Sequence, residues 1–177
     1  MNNEHMPECY WVIPGSFLAG EYPASHYLEE RTRSRLRGLL DAGVNLVIDL
    51  TEVNELSSYD DLLQEQADGL GVEVEHQRMS IRDLSVPAEQ KLGEILNFLD
   101  DALVKGKVVY VHCYGGIGRT GTVVGCYLVR HGLSGEKALE EIQRLRQGIA
   151  GAWMRSPETD AQQEMVLNWK NTDPSIK

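Results

Sequence analysis

The sequence predicts an α/β fold: one domain with a central, mostly parallel sheet flanked by helices. Two apolar runs, residues 44–50 (VNLVIDL) and 107–111 (KVVYV), have the length of strands buried on both faces, which is how parallel strands read. Segments with helical spacing alternate with these runs, the order that builds a parallel sheet. A chain of 177 residues with 42% hydrophobic content can bury one good core, so a single domain over 1–177 is expected, with its core at about 10–170.

Residues 10–23 (YWVIPGSFLAGEYP) read as one or two short strands broken at Pro14-Gly15. Residues 25–41 read as a helix with Leu36, Leu39 and Leu40 on its apolar face and Gly43 as the stop. A polar helix within 57–71 should end near Gly69, and residues 72–79 (VEVEHQRM) alternate as a strand. After a loop at 81–87, Leu92, Ile95, Leu96, Leu99 and Leu103 recur at helical spacing. The glycine-rich stretch after the 107–111 strand opens a helix to about His131. Ser134 caps a helix reaching Arg146, and a last helix starting near Ser156-Pro157 or Thr159 carries Met165, Val166 and Trp169.

A net charge of -10 argues against general binding to nucleic acid or to anionic membranes. Cys9, Cys113 and Cys126 are odd in number in a chain that needs no staples, which fits a reducing compartment. The N-terminal stretch around Glu4 and Glu8 has no apolar run of signal-peptide length. No uncharged segment, 120–129 included, approaches the roughly 18 residues that span a bilayer. A cytoplasmic monomer is expected, with no nucleic-acid or membrane partner.

Residues 111–121 (VHCYGGIGRTG) admit two readings. Gly116, Gly118 and Gly121 match a dinucleotide-binding pattern. That pattern needs an acidic strand end about 20 residues on, and here Glu140 and Glu141 fall inside a helical segment. No Gly-Lys-Ser/Thr follows, so a Walker-type loop fails too. The alternative is an anion cradle at a helix N-terminus. Gly115, Gly116 and Gly118 would permit close backbone approach and unusual dihedrals. Arg119 could grip two oxygens of one phosphate, and Cys113 would lie below the phosphorus. A thiol attacks as its thiolate, and Arg119, the loop amides and the Thr120 hydroxyl are the groups at hand to favour it.

This segment resembles the signature loop of the protein tyrosine phosphatase superfamily, His-Cys, five residues, Arg-Ser/Thr, here His112 to Thr120. Its HCYGG opening is similar to the cyclin-dependent-kinase-associated phosphatases of the dual-specificity group, and GIGRTG to the tyrosine-specific enzymes. The resemblance extends more loosely from about Trp11 to Trp169. It implies Cys113 as nucleophile, Arg119 as phosphate ligand with Tyr114, Gly115, Gly116, Ile117 and Gly118 lining the cradle, and His112 as a buried residue tying the loop down. Displacement leaves an oxyanion that needs a proton. The family carries that acid on a loop some thirty residues before the cysteine, where Asp83 stands in SIRDLSVP. Asp49 at a strand end, and Asp100 and Asp101 on a polar helix face, read as structural. In place of the Gln-Thr-x-x-Gln that helps position water in tyrosine-specific enzymes, this chain has Glu158-Thr159-Asp160-Ala161-Gln162. Gln162 therefore reads equally as a water-positioning group or as the N3 residue of a capping box with Thr159.

Cys126 reads as a core residue. Arg31, Arg33, Arg35 and Arg37 read as a solvated helix face or a docking patch for a phosphorylated partner, and Arg155 reaches the pocket rim on a minority reading. No His, Cys or carboxylate pair has metal-ligand spacing, and the chemistry calls for no cofactor. The loop interior carries no lysine or second arginine, which lowers a lipid reading by resemblance. The expected substrate is phosphotyrosine in proteins, with phosphoserine and phosphothreonine as extensions. The alternatives are a small soluble phosphate ester and a phosphate-binding module without turnover.

Overall fold

The computed structural model describes residues 6–25 and 27–170, so Glu4 and the ends of the predicted 1–177 domain lie outside the described residues. The chain opens with a hairpin, β1 (Cys9–Ile13) and β2 (Phe17–Gly20). There follow α1 (Glu29–Asp41), β3 (Leu46–Asp49), α2 (Asp60–Leu70), β4 (Glu75–Arg78), α3 (Glu89–Val104), β5 (Val109–His112), α4 (Gly118–Arg130), α5 (Gly135–Leu145) and α6 (Asp160–Asn168). The five strands lie in the order β1-β2-β5-β3-β4. β1 runs antiparallel to β2, and every other pairing is parallel.

Strand alternation divides the core in two. Phe17, Ala19, Leu46, Ile48, Val109 and Val111 join the apolar stripes of α3, α4, α5 and α6 on one face. Leu18, Val47 and Tyr110 join Leu36, Leu39 and Leu63 from α1 and α2 on the other. β3 and β5 lie at the centre of the sheet and are buried throughout, which accounts for their unbroken apolar runs. The carboxyl ends of β2, β5, β3 and β4 point the same way, so the loops that follow them gather along one edge, where open α/β sheets bind ligands.

Two helix ends differ from expectation. α1 begins at Glu29, not Ser25: the Ser25 amide donates to Thr32 Oγ1, and Leu28 stands at the N-cap without a capping side chain. α2 runs through Gly69 to Leu70 and stops at Gly71, whose φ of 68° suits a left-handed cap.

Candidate active site

The loop after β5 brings Cys113 to the N-terminus of α4, where the cysteine is buried at 3% exposure. The Tyr22 amide donates to the Tyr114 carbonyl at 2.8 Å, fixing the loop to the end of β2. Gly116 has φ 66°, and a Cβ there would run into the Gly20 backbone, so no other residue fits. Gly121 is demanded by packing: a Cβ would strike Ser156 Oγ, which donates to the Ile117 carbonyl at 2.8 Å. The glycine pattern is thus set by close approach within the fold. The expectation for Gly115 is corrected: its φ is not positive, and a Cβ would meet only Ile117, at 3.7 Å. Gly118 also lacks a positive φ but packs close, its Cβ position lying 3.0 Å from Gln162 Oε1.

His112 is wholly buried beneath the loop. Its Nδ1–H donates to the Cys113 carbonyl at 2.9 Å, which leaves Nε2 to accept the Tyr59 hydroxyl at 2.5 Å. Burial depresses its pKa, so the neutral imidazole that this arrangement needs is the favoured form. Asp49, His76 and His112 form a cluster whose donor atoms lie within 4.8 Å of one another. Asp49 Oδ1 already accepts from the Thr51 amide and hydroxyl, and Oδ2 from Arg78 Nε and Nη2. A cation would meet the Arg78 guanidinium 2.8 Å from its carboxylate ligand, so the cluster works as a hydrogen-bonded brace behind the loop. This bears out the structural reading of Asp49.

Arg119, at 1% exposure, is gripped by a residue the sequence reading missed. Glu55, in the loop after β3, accepts from Nη1 at 2.7 Å and from Nη2 at 2.6 Å. The Ile81 carbonyl takes a further Nη1 hydrogen at 3.2 Å, and Asp83 Oδ1 stands 3.0 Å from Nη2. Among the described residues Nε–H has no partner. Burial works to lower the Arg119 pKa, but the bonds to Glu55, the neighbouring Cys113 sulfur and Asp83 outweigh it and hold the pKa above the usual guanidinium value. The same bonds hold the Glu55 carboxyl below the usual glutamate value, against the opposing effect of burial. Only the place of Glu55 beyond a predicted strand end hinted at the site.

Asp83 lies in the loop between β4 and α3, with its side chain 59% exposed. Leu84 beside it takes φ 56°, an uncommon conformation for a bulky residue. Ser85 turns back on the Arg82 carbonyl through its amide at 3.2 Å and its hydroxyl at 2.8 Å. The loop is also held by Gln162, whose Nε2 donates to the Ser85 carbonyl at 3.2 Å.

Two comparisons place the chain in a family. The family described as "Polymorphic toxin system, DSP-PTPase phosphatase" matches residues 24–133, from α1 through the Cys113 loop and α4. The phosphatidylglycerophosphatase and protein-tyrosine phosphatase 1 of Rattus norvegicus is 33% identical over 80% of this chain and 69% of its own length. The chain is a dual-specificity-type, cysteine-dependent phosphatase. The dual specificity protein phosphatase CDC14B of Mus musculus is 44% identical over 32% of this chain, a match that spans 11% of that protein. The crystal structure of Tk-PTP in its active form superposes with a TM-score of 0.70 at 29% identity, covering 94% of this chain and 98% of that one.

Within this phosphatase the remaining expected residues fall as follows. Gln162 completes the capping box: its Oε1 accepts from the Glu158 and Thr159 amides, each at 3.1 Å, while Thr159 Oγ1 accepts from the Gln162 amide. Its side chain is therefore engaged in joining α6 to the Asp83 loop. The Thr120 hydroxyl is buried with no hydrogen-bond partner among the described residues, a condition that costs about 1–3 kcal/mol. Arg155 pairs with Asp160 and the Glu158 carbonyl and is spent on the start of α6. Cys126 sits in the core of α4, where burial pushes its thiol far up.

Proposed function

We propose that this phosphatase hydrolyses phosphotyrosine in proteins, and phosphoserine and phosphothreonine beside it, through a cysteinyl phosphate on Cys113. One observation carries the reading: a buried Arg119 that joins the cysteine loop to Asp83 at 3.0 Å. The Cys113 sulfur attacks phosphorus as the loop amides and Arg119 hold the non-bridging oxygens; the S–P bond forms and the ester P–O bond breaks. Asp83 gives its proton to the leaving oxygen. In the second step Asp83 takes a proton from water, the water oxygen bonds to phosphorus, and the S–P bond breaks to release phosphate. In this reading the Thr120 hydroxyl, which has no hydrogen-bond partner among the described residues, turns to the departing sulfur. A phosphate gripped through Nε and Nη2 takes the place of Asp83 on Arg119, which frees the carboxyl to meet the leaving group.

A protein substrate is supported by a loop interior without lysine or a second arginine, by Tyr114 exposed at 54% beside the cysteine, and by the name of the CDC14B relative. The free thiols of Cys9, Cys113 and Cys126 suit a reducing, cytoplasmic setting. The name of the rat relative favours a second reading, a phosphorylated lipid or other non-protein ester handled by the same chemistry. The test is p-nitrophenyl phosphate without metal, followed by phosphopeptides against phosphatidylglycerophosphate and soluble phosphate esters. Turnover with the highest kcat/KM on phosphotyrosine peptides is expected. A higher value on the lipid or the soluble esters moves the reading to the second, and no turnover at all leaves a binding module.

A further inference from the structure

We infer that the groove between the start of α1 and the cysteine loop is a second anion subsite, in which Arg31 binds a second phosphate carried by the substrate being hydrolysed. This deepens the proposed function and rests on the Cys113 loop holding the first phosphate. The groove has a volume of about 360 Å³, large enough for the body of a small ligand. Tyr114 and Gly115, the two residues after Cys113, form one wall, and Tyr27, Arg31 and Arg35 line the other. A substrate whose phosphate is seated over Cys113 therefore has this groove as its neighbour.

The charges in it are unequal. Arg35 is neutralised by Glu21, 2.8 Å away on the groove floor. Arg33 is held by Glu29 and Glu65, and Arg37 lies 3.9 Å from Asp41. Arg31 is exposed and, among the described residues, has no carboxylate partner. Glu29 and Glu30, the acidic residues of the first turn of α1, do not line the groove. On a chain of net charge -10, one unneutralised guanidinium beside the phosphate loop marks where a further anion is favoured. Tyr27 and Tyr114, exposed at 93% and 54%, border the same groove. The arginine run that the sequence left as a solvated face thus separates into three paired residues and one that serves the site.

The experiment compares matched mono- and bisphosphates: a phosphotyrosine peptide with and without an adjacent phosphoserine, and a polyol monophosphate with its vicinal bisphosphate. Steady-state kcat and KM are measured for wild type, Arg31→Gln and Arg31→Lys. Wild type should show a KM for at least one bisphosphate about tenfold below that of its partner. Arg31→Gln should erase the difference with kcat and p-nitrophenyl phosphate turnover unchanged, and Arg31→Lys should restore part of it. The pair that responds tells whether the second phosphate belongs to a protein or to a small ester. Equal KM values across both pairs in wild type, or a preference that survives Arg31→Gln, overturn the subsite. Failure to hydrolyse p-nitrophenyl phosphate would sink the underlying reading instead, and equilibrium binding of the same pairs then judges the groove separately.

Discussion

The two loops that meet at Arg119 are built on opposite plans. In the Cys113 loop the cysteine and the arginine are buried, the His112–Tyr59 pair backs them, Tyr114 pins the loop to β2, and Gly116 lies against the Gly20 backbone. The Asp83 loop stands at the rim with its carboxylate 59% exposed, and it is tied down by the Gln162 bond to Ser85, a Ser85 turn and the ion pair to Arg119. The contrast teaches how the labour is divided. Binding and stabilising an anion requires fixed dipoles in a dry site, whereas a proton donor that returns as a base has to reach water and yield its place.

The comparison breaks most sharply at the sulfur. Cys113→Ser should abolish turnover while phosphate esters still bind, measured by p-nitrophenyl phosphate hydrolysis and by equilibrium titration; a rate near wild type would remove the buried loop from the chemistry. Asp83→Asn should cut kcat by about 10²–10⁴ and delete one limb of the pH–rate profile. Because Asp83 also stands on Arg119 Nη2, the same change should tighten binding of inorganic phosphate or vanadate, and weaker binding would mean that the exposed loop helps to hold the anion.

Glu55→Gln should lower kcat/KM by about tenfold by loosening the guanidinium. It also has a pH signature. The Glu55 carboxyl is held below its ordinary value of 4.5, so its contribution to stability is complete above that value and is lost as pH falls through the lower, folded value. Thermal melts between pH 5 and 3 should fall less steeply in Glu55→Gln than in wild type, and parallel curves would show that the pair adds nothing to the fold. The smallest effect belongs to Gln162→Glu, which keeps the oxygen that caps α6 and loses the donor to Ser85. A few-fold loss of kcat is expected, with some loss of stability because the new carboxylate is wholly buried, set against Gln162→Ala, which forfeits the capping bonds as well. Equal kcat in Gln162→Glu and wild type would mean that the exposed loop keeps its place without the tether.

The same contrast governs what could be read from the sequence. The buried loop was legible because its determinants are local: a strand, a helix, and the cysteine and arginine between them. Asp83 was legible only through its spacing from that motif. Glu55 was not, since its bond to Arg119 joins residues 64 apart and no local pattern marks the pairing. For Gln162 the capping half was visible at i, i+3, but the bond to Ser85 crosses 77 positions. The start of α1 was misread because nothing local marks it: the helix opens at Glu29 with no capping side chain, and the Ser25 amide is taken by Thr32 Oγ1.

Arg119 reaches the pocket with one edge already satisfied by Glu55 and with Asp83 standing against the other. Occupancy is consequently an exchange of one anion for another. A chloride ion, with a single diffuse charge and no geometry to match a planar fork, cannot displace a carboxylate held this way, while a doubly charged tetrahedral oxyanion can. The pocket thus carries its own filter against the abundant salts of its surroundings, and the phosphatase should keep its full rate in chloride concentrations that would flood an unguarded guanidinium.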